Sequence, residues 1–442
     1  MRPTRNKWRA VAWALATGLA LPTLAQESAA PEADTAPPDT PQAEASWRLS
    51  GSGEAWVYGT RNGVLSTSLL NPGNRVAALP RELGLLDVRL NGRAEDGPLA
   101  LVGSLRLTSQ RSQTEQAARP DRRDSDDTQQ VGQAFVRYRQ GEGVWTVGRE
   151  LLSWGPANFR SPSNPFYFDA GRTNPLAATP GVDVLRYTGQ LAPGWRLGGG
   201  YVWSTSQITP ATDLGHSSWL KLDQQGDAHL ASLVLSQQRG GATFVGGFAQ
   251  WTPDDAWLLY AEVGSNRQPG QLLVGSPGNG PLYRWQQPAP RSTDALLGAS
   301  YTLESGHVLI GEWLHSTGGY SEAGQAAYWA QAGRANALAM QNPALAYGSL
   351  GQALGQAPRL LGRDYLWLGL QSNPQESGLY WRAEYSTQLA DRSGQVLLYG
   401  EKNFWRQLSG FVVLSRTVGG AQTEFGSLVR SRLTLGVKLF MF

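Results

Sequence analysis

The chain has no cysteine, three methionines and only four histidines in 442 residues. Without cysteine there is no disulfide framework, no thiolate zinc or iron–sulfur site and no cysteine nucleophile. Beyond the first two dozen residues, no run approaches the ~20 apolar residues that a spanning helix needs, which excludes a polytopic helical membrane protein. A Gly-x-Ser-x-Gly elbow, a phosphate-cradling loop, a zinc spacing and a dinucleotide fingerprint are all missing. His307 and His315 share a strand and a face but stand roughly 26 Å apart along an extended chain, so they cannot share a metal or a proton. His216 and His229 sit at strand or loop ends. No catalytic residue, metal or cofactor is therefore assigned, and an enzyme is not expected.

What is abundant points elsewhere. There are 53 glycines, 17 tryptophans and 15 tyrosines, a composition that suits a large all-β protein. Arg2, Arg5, Lys7 and Arg9 precede an apolar run from Ala10 to Leu21 and then Pro22-Thr23-Leu24-Ala25. That order of charge, apolar core and small residues is a secretory signal peptide, residues 1–25, cleaved after Ala25. No cysteine follows to be acylated, so a lipoprotein is excluded. Removing that segment takes away four basic residues and no acidic ones, so the net charge moves from +3 to −1. Nucleic-acid binding thereby loses its main support. Residues 26–46 are rich in Pro, Ala, Glu and Asp and read as a linker.

From Trp47 to Phe442 the dominant period is two. Leu86, Val88 and Leu90 alternate with Asp87, Arg89 and Asn91; Leu433, Leu435, Val437 and Leu439 alternate with Arg432, Thr434, Gly436 and Lys438. One such segment would fit a soluble sandwich. The set does not, because aromatics cluster at strand ends and loop lengths alternate. Short turns such as Glu95-Asp96-Gly97, Gly141-Glu142-Gly143 and Ala192-Pro193-Gly194 join pairs, and longer loops at 59–83, 110–128, 153–180, 266–292 and 318–361 join the next pairs. The pattern predicts a transmembrane antiparallel β-barrel over 47–442, with both termini periplasmic and hence an even strand number. The strands are 47–58, 84–94, 98–109, 129–140, 143–152, 181–191, 194–204, 215–223, 228–239, 241–251, 255–265, 293–304, 306–317, 362–373, 377–389, 394–402, 407–416 and 430–442. That makes eighteen, or sixteen without 215–223 and 394–402.

A signal peptide, period-two strands, alternating loops and a terminal Phe442 resemble the Gram-negative outer-membrane porins. The stretch from Gly148 to Pro156, with Trp154-Gly155, and the Ser161-Pro162-Ser163-Asn164-Pro165-Phe166 run resemble loops of porin-like families, the alginate-export type among them. Phe440 and Phe442 depart from the usual pattern by falling on the polar register, which a bulge near the end would explain. The resemblance implies a bacterial outer-membrane location, outer-membrane lipid and lipopolysaccharide as surroundings, insertion by the outer-membrane assembly machinery, and a possible homo-oligomer.

A barrel of this size encloses an aqueous channel, whose selectivity comes from inward charges and loops. The polar phase places Arg89, Arg93, Arg106, Arg137, Arg139, Arg186, Arg196, Arg382, Arg432 and Lys438 in the lumen against Asp87, Glu262, Asp294, Glu304, Glu312 and Glu384. Pairs such as Arg382 with Glu384 would neutralise part of this mild cationic bias. The 153–180 loop carries Trp154, Arg160, Asn164, Asp169 and Arg172 among prolines that stiffen it. It either folds inward as a constriction or packs as a lid on the rim. Loop 110–128, dense in Arg and Asp, reads as a solvated outer loop or a partner for lipopolysaccharide phosphates. Residues 322–340 have the composition of a short helix. Three functions fit: an aqueous channel for small polar or anionic solutes, a specific channel or exporter for an acidic saccharide, or a non-conducting structural barrel.

Overall fold

The computed structural model describes residues 47–169, 171–204, 216–241, 243–267, 271–274, 282–286, 290–356, 360–373 and 378–441. The expected signal peptide, the 26–46 linker and Phe442 lie outside them.

Among the described residues, eighteen strands form one sheet. The first nine are β1 Arg48–Val64, β2 Glu82–Asp96, β3 Leu99–Thr114, β4 Arg122–Gln140, β5 Gly143–Glu150, β6 Val182–Ala192, β7 Trp195–Ser204, β8 Ser217–Gln225 and β9 His229–Gln238. The second nine are β10 Thr243–Trp251, β11 Trp257–Arg267, β12 Arg291–Thr302, β13 Val308–Ser316, β14 Asp364–Gln371, β15 Leu379–Gln388, β16 Gly394–Trp405, β17 Leu408–Val418 and β18 Val429–Phe440. Each pairs antiparallel with its neighbours in the chain, and β1 pairs with both β2 and β18, so the sheet closes on itself. Closure removes every edge within the paired region, and the pleat then sends alternate side chains inward and outward. The outward set includes Val57, Leu86, Leu297 and Leu435, all largely exposed; the inward set includes Trp56, Asp87, Thr146 and Thr434, all buried.

The sixteen-strand alternative is overturned. Ser217–Gln225 pairs with β7 and β9, and Gly394–Trp405 pairs with β15 and β17. The expected loop 110–128 is also corrected: β3 runs to Thr114 and β4 starts at Arg122, so only 115–121 connects them. β1 likewise continues past Tyr58 to Val64. These extensions rise beyond the apolar band. There both faces are polar, so the alternation that marks a strand fades. The expected bulge near the C-terminus is absent: Phe440 pairs with Glu54 in continuous register and stays on the inward face.

Long connections gather at one end of the barrel and short turns at the other. At the long end, Leu70, Leu79, Leu272, Tyr283, Tyr328, Trp329 and Leu350 form one apolar cluster. It joins the 65–81 connection, a small hairpin of Leu272–Val274 with Tyr283–Trp285, and two helices. Helix α1, Glu322–Ala337, is the one expected from composition; Ser321 caps it by accepting from Gly324 N at 3.2 Å, which satisfies one of the free amides of the first turn. Helix α2, Pro343–Gln356, was not expected. Its Ala and Leu spacing is interrupted by glycine, which weakens the helical signal.

Candidate functional site

Residues 151–181 leave β5 at the long-loop end and turn into the barrel. The segment touches three sectors of the inner wall. Leu152, Phe166 and Tyr167 pack with Val182, Val184, Val202 and Trp219 of β6–β8. Ala157 and Phe159 pack with Tyr260, Leu296, Leu314, Tyr365 and Trp367 of β11–β14. Leu176 packs against the cluster of Trp56, Tyr58, Leu85, Leu397, Tyr399, Phe411 and Val413, from β1, β2, β16 and β17. The loop therefore crosses the lumen instead of lying on the rim.

Two carboxylates anchor it. Glu262 on β11 accepts from Ala157 N at 2.8 Å, from Ser161 Oγ at 2.7 Å, and from Ser163 Oγ at 2.7 Å and N at 3.2 Å. Glu312 on β13 accepts from Phe159 N at 2.7 Å, Asn158 N at 2.6 Å and the Tyr260 hydroxyl at 2.5 Å. A buried carboxylate is stable only when its lone pairs are met, and these are. Both residues face inward as expected, but neither lines open space. At 2% and 1% exposure they lie beneath the loop, because its amides and hydroxyls replace water around them. This corrects their reading as pore-lining groups.

Within the loop, Asn164 acts as a local clasp. Its Nδ2 donates to Leu152 O, and its Oδ1 accepts from Phe166 N and Tyr167 N. The Tyr167 hydroxyl donates to Pro180 O at 2.9 Å, and burial pushes the phenol pKa up. Trp154 packs on Trp219 and Phe166 with ring centroids 4.9 and 5.4 Å apart. Asn164 and Trp154 thus hold the loop's shape. Arg172 turns back onto Ala157 O and Gly155 O. Arg160 pairs with Asp169 at 3.2 Å and stacks over Phe159.

The wall is organised as shared carboxylates. Asp87, fully buried, takes Arg89 at 2.9 Å and Arg106 at 2.8 Å. Glu150 takes Arg137 at 3.2 Å and Arg186 at 2.7 Å. Two cations on one anion leave each group with a net positive charge. Arg89 also donates to Leu176 O at 2.9 Å, and so reaches the loop from the wall. Arg382 pairs with Glu384. Arg139 and Arg196 share the inward phase but stand exposed at the short-turn end, away from the loop.

Some inward groups escaped the sequence reading. Glu150 is in phase with Thr146 on β5 and buried with it, but was not among the inward charges expected. Lys221 and Asp223 pair on β8, and Glu401 on β16 pairs with Lys438, which the phase had placed inward and which donates to the Tyr399 hydroxyl at 2.9 Å. Trp56 lies between two cations, with Arg89 and Lys438 each 4.1 Å from the ring. The spacing of two between Lys221 and Asp223 was the available signal; nothing in sequence brings Arg89, Trp56 and Lys438 together. Among the described residues, no group of three His, Asp or Glu side chains is placed to hold a metal ion.

No protein-family model matches the chain, and no curated protein matches it. Solved structures do. OccK7 (OpdD) of Pseudomonas aeruginosa superposes with a TM-score of 0.53 at 11% identity, over 89% of this chain and 98% of that one. OpdK of P. aeruginosa, solved with vanillate, gives 0.51 at 10% identity over 89% and 98%. OccD3 (OpdP) of the same organism gives 0.50 at 10% identity over 89% and 92%. The fold is that of the porin-like outer-membrane barrels.

Proposed function

We propose that this barrel sits in the bacterial outer membrane as an aqueous channel for small anionic or polar solutes, narrowed by the 153–180 loop. The observation that carries the reading is the arginine sharing on the inner wall. Asp87 and Glu150 each bind two arginines, so the passage beside the loop keeps unbalanced positive charge. Arginine offers carboxylates and phosphates a planar fork, and a ring of fixed charge selects ions of the opposite sign. Eighteen strands leave room for a water-filled passage. OpdK, a structural neighbour solved with vanillate, binds a small aromatic carboxylate of the class that this wall suits. The long loops face outside and both termini face the periplasm. The barrel works by passage, not by catalysis.

Single-channel recording in planar bilayers under a KCl gradient tests this. Steady conductance with a reversal potential on the chloride side supports it. Cation preference, or no conductance from folded protein, sinks it. One observation favours a second reading, a closed or structural barrel: the loop packs against three wall sectors at once. Silent bilayers would select that reading.

A further inference from the structure

On the outside of the barrel, at the long-loop end, lies a groove of about 640 Å³. Its floor is Gly59 on β1 and Gly84 on β2, which face each other in register. A Cβ on Gly84 would meet nothing within 4 Å, so the floor is open backbone. On one side are Leu433 and Leu435 of β18, 38% and 56% exposed, the top of the apolar band. On the other are Arg61, Arg111 and Arg123, from β1, β3 and β4. All three are exposed, and among the described residues none has a hydrogen bond or ion pair. Two acids also line the groove. Glu82 stands opposite Arg61 in register, and Asp124 is held by Arg122 at 2.7 Å.

This differs from the lumen, where Arg89, Arg106, Arg137, Arg186 and Arg382 each have a carboxylate partner. Three free guanidinium groups just above a lipid-facing apolar surface need an anion from outside the chain. Exposed leucines beside bare backbone need an acyl chain. One molecule at that depth of an outer leaflet supplies both: a glycolipid carrying phosphate directly on its headgroup sugar. We propose that the groove is a binding site for the lipid A part of lipopolysaccharide. Its phosphates are held by Arg61, Arg111 and Arg123, and one acyl chain lies on Leu433 and Leu435 across the glycine floor. The inference rests on the outer-membrane placement proposed above, and its charge complementarity is the reason to choose a lipid over a second copy of this cationic patch.

The test is native mass spectrometry of the full chain in detergent with bisphosphorylated lipid A, monophosphoryl lipid A and phosphatidylglycerol. The first is expected to bind best. R61Q/R111Q/R123Q is expected to weaken it about tenfold or more, since each fork lost removes charge-assisted hydrogen bonds. Gly84→Phe fills the groove, keeps all three arginines, and is expected to weaken binding as well. Heat-modifiable migration on gels checks that both variants are folded. Unchanged binding by both variants overturns the assignment, as does equal binding of phosphatidylglycerol, displacement by millimolar inorganic phosphate, or a variant effect on oligomeric state alone. Cell fractionation separates the two readings. Wild type in the outer membrane with lipid A binding no better than the triple variant removes the groove alone. Wild type outside that fraction removes the membrane placement, and the groove with it.

Discussion

Arg382 and Arg172 meet across the barrel: Nη2 of Arg382, on strand β15, donates to the main-chain carbonyl of Arg172 at 2.8 Å. With Arg89 on Leu176 O, it fixes the returning limb of the loop, while Glu262 and Glu312 fix the outgoing limb. The loop is held by wall charges of both signs. A carboxylate grips its amides, and a guanidinium grips its carbonyls. Such an arrangement fixes where the loop crosses the barrel without a covalent tie.

Replacing Glu262 by alanine should free the outgoing limb. The Ser163 hydroxyl and the Ala157 amide lose their acceptor together, at about 1–3 kcal/mol for each group left buried and unpaired, while the Ser161 hydroxyl keeps only Trp154 O at 3.0 Å. The expected result is a wider, noisier channel in single-channel recording, with the barrel still folded on heat-modifiability gels. A conductance identical to wild type would show that the loop does not narrow the passage.

Arg106→Gln with Arg186→Gln tests the wall without touching the loop, because these two arginines bond only to wall groups. Each shared carboxylate then keeps one arginine and becomes neutral as a pair. A lost charge changes the energy of an ion about 4 Å away by ~1 kcal/mol in water. The chloride-to-potassium permeability ratio should therefore fall several-fold, read as a shift in reversal potential. Asp87→Asn should move it the other way.

The outward register makes a separate prediction. Leu297 lies midway along β12 and is 55% exposed. Leu297→Arg would place a charge on the lipid face and should destabilise the barrel by about 2–4 kcal/mol. Urea unfolding from lipid vesicles would measure it. A cost near zero would mean that this face does not meet lipid.

The barrel was legible because burial inside and lipid outside impose opposite demands on successive residues. Leu433 to Leu439 against Arg432 to Lys438 displays that contrast without any tertiary knowledge. Where one demand vanishes, the signal vanishes too. Arg111 and Asp126 lie on strands that rise beyond the apolar band, so they read as loop. The site was legible only in parts. The phase points Arg89, Arg106, Glu262 and Glu312 to one face of their strands. It could not show that a loop more than 90 positions away would cover Glu262, since that contact depends on closure of the sheet. Nor does period two order the strands around the barrel far enough to set Arg89 and Lys438 on either side of Trp56.

The roof supplies a pH-dependent prediction. Glu424 is in the connection between β17 and β18. Its carboxylate accepts from the Tyr365 hydroxyl and from Leu361 N at 3.2 Å, and its own amide donates to Asp391 at 2.8 Å. Burial, with the Asp391 charge adding to it, raises its pKa above the ordinary 4.5. The docked loop therefore holds a proton more tightly than the opened loop. Docking is strongest below about pH 4.5 and weakens as pH rises through the raised value of the docked state. Hydrogen exchange of residues 419–428 should accelerate over that rise beyond the intrinsic base-catalysed increase. Glu424→Gln removes the titrating group, keeps an acceptor for the Tyr365 hydroxyl, and should flatten the excess. If the variant shows the same excess as wild type, another group controls the opening.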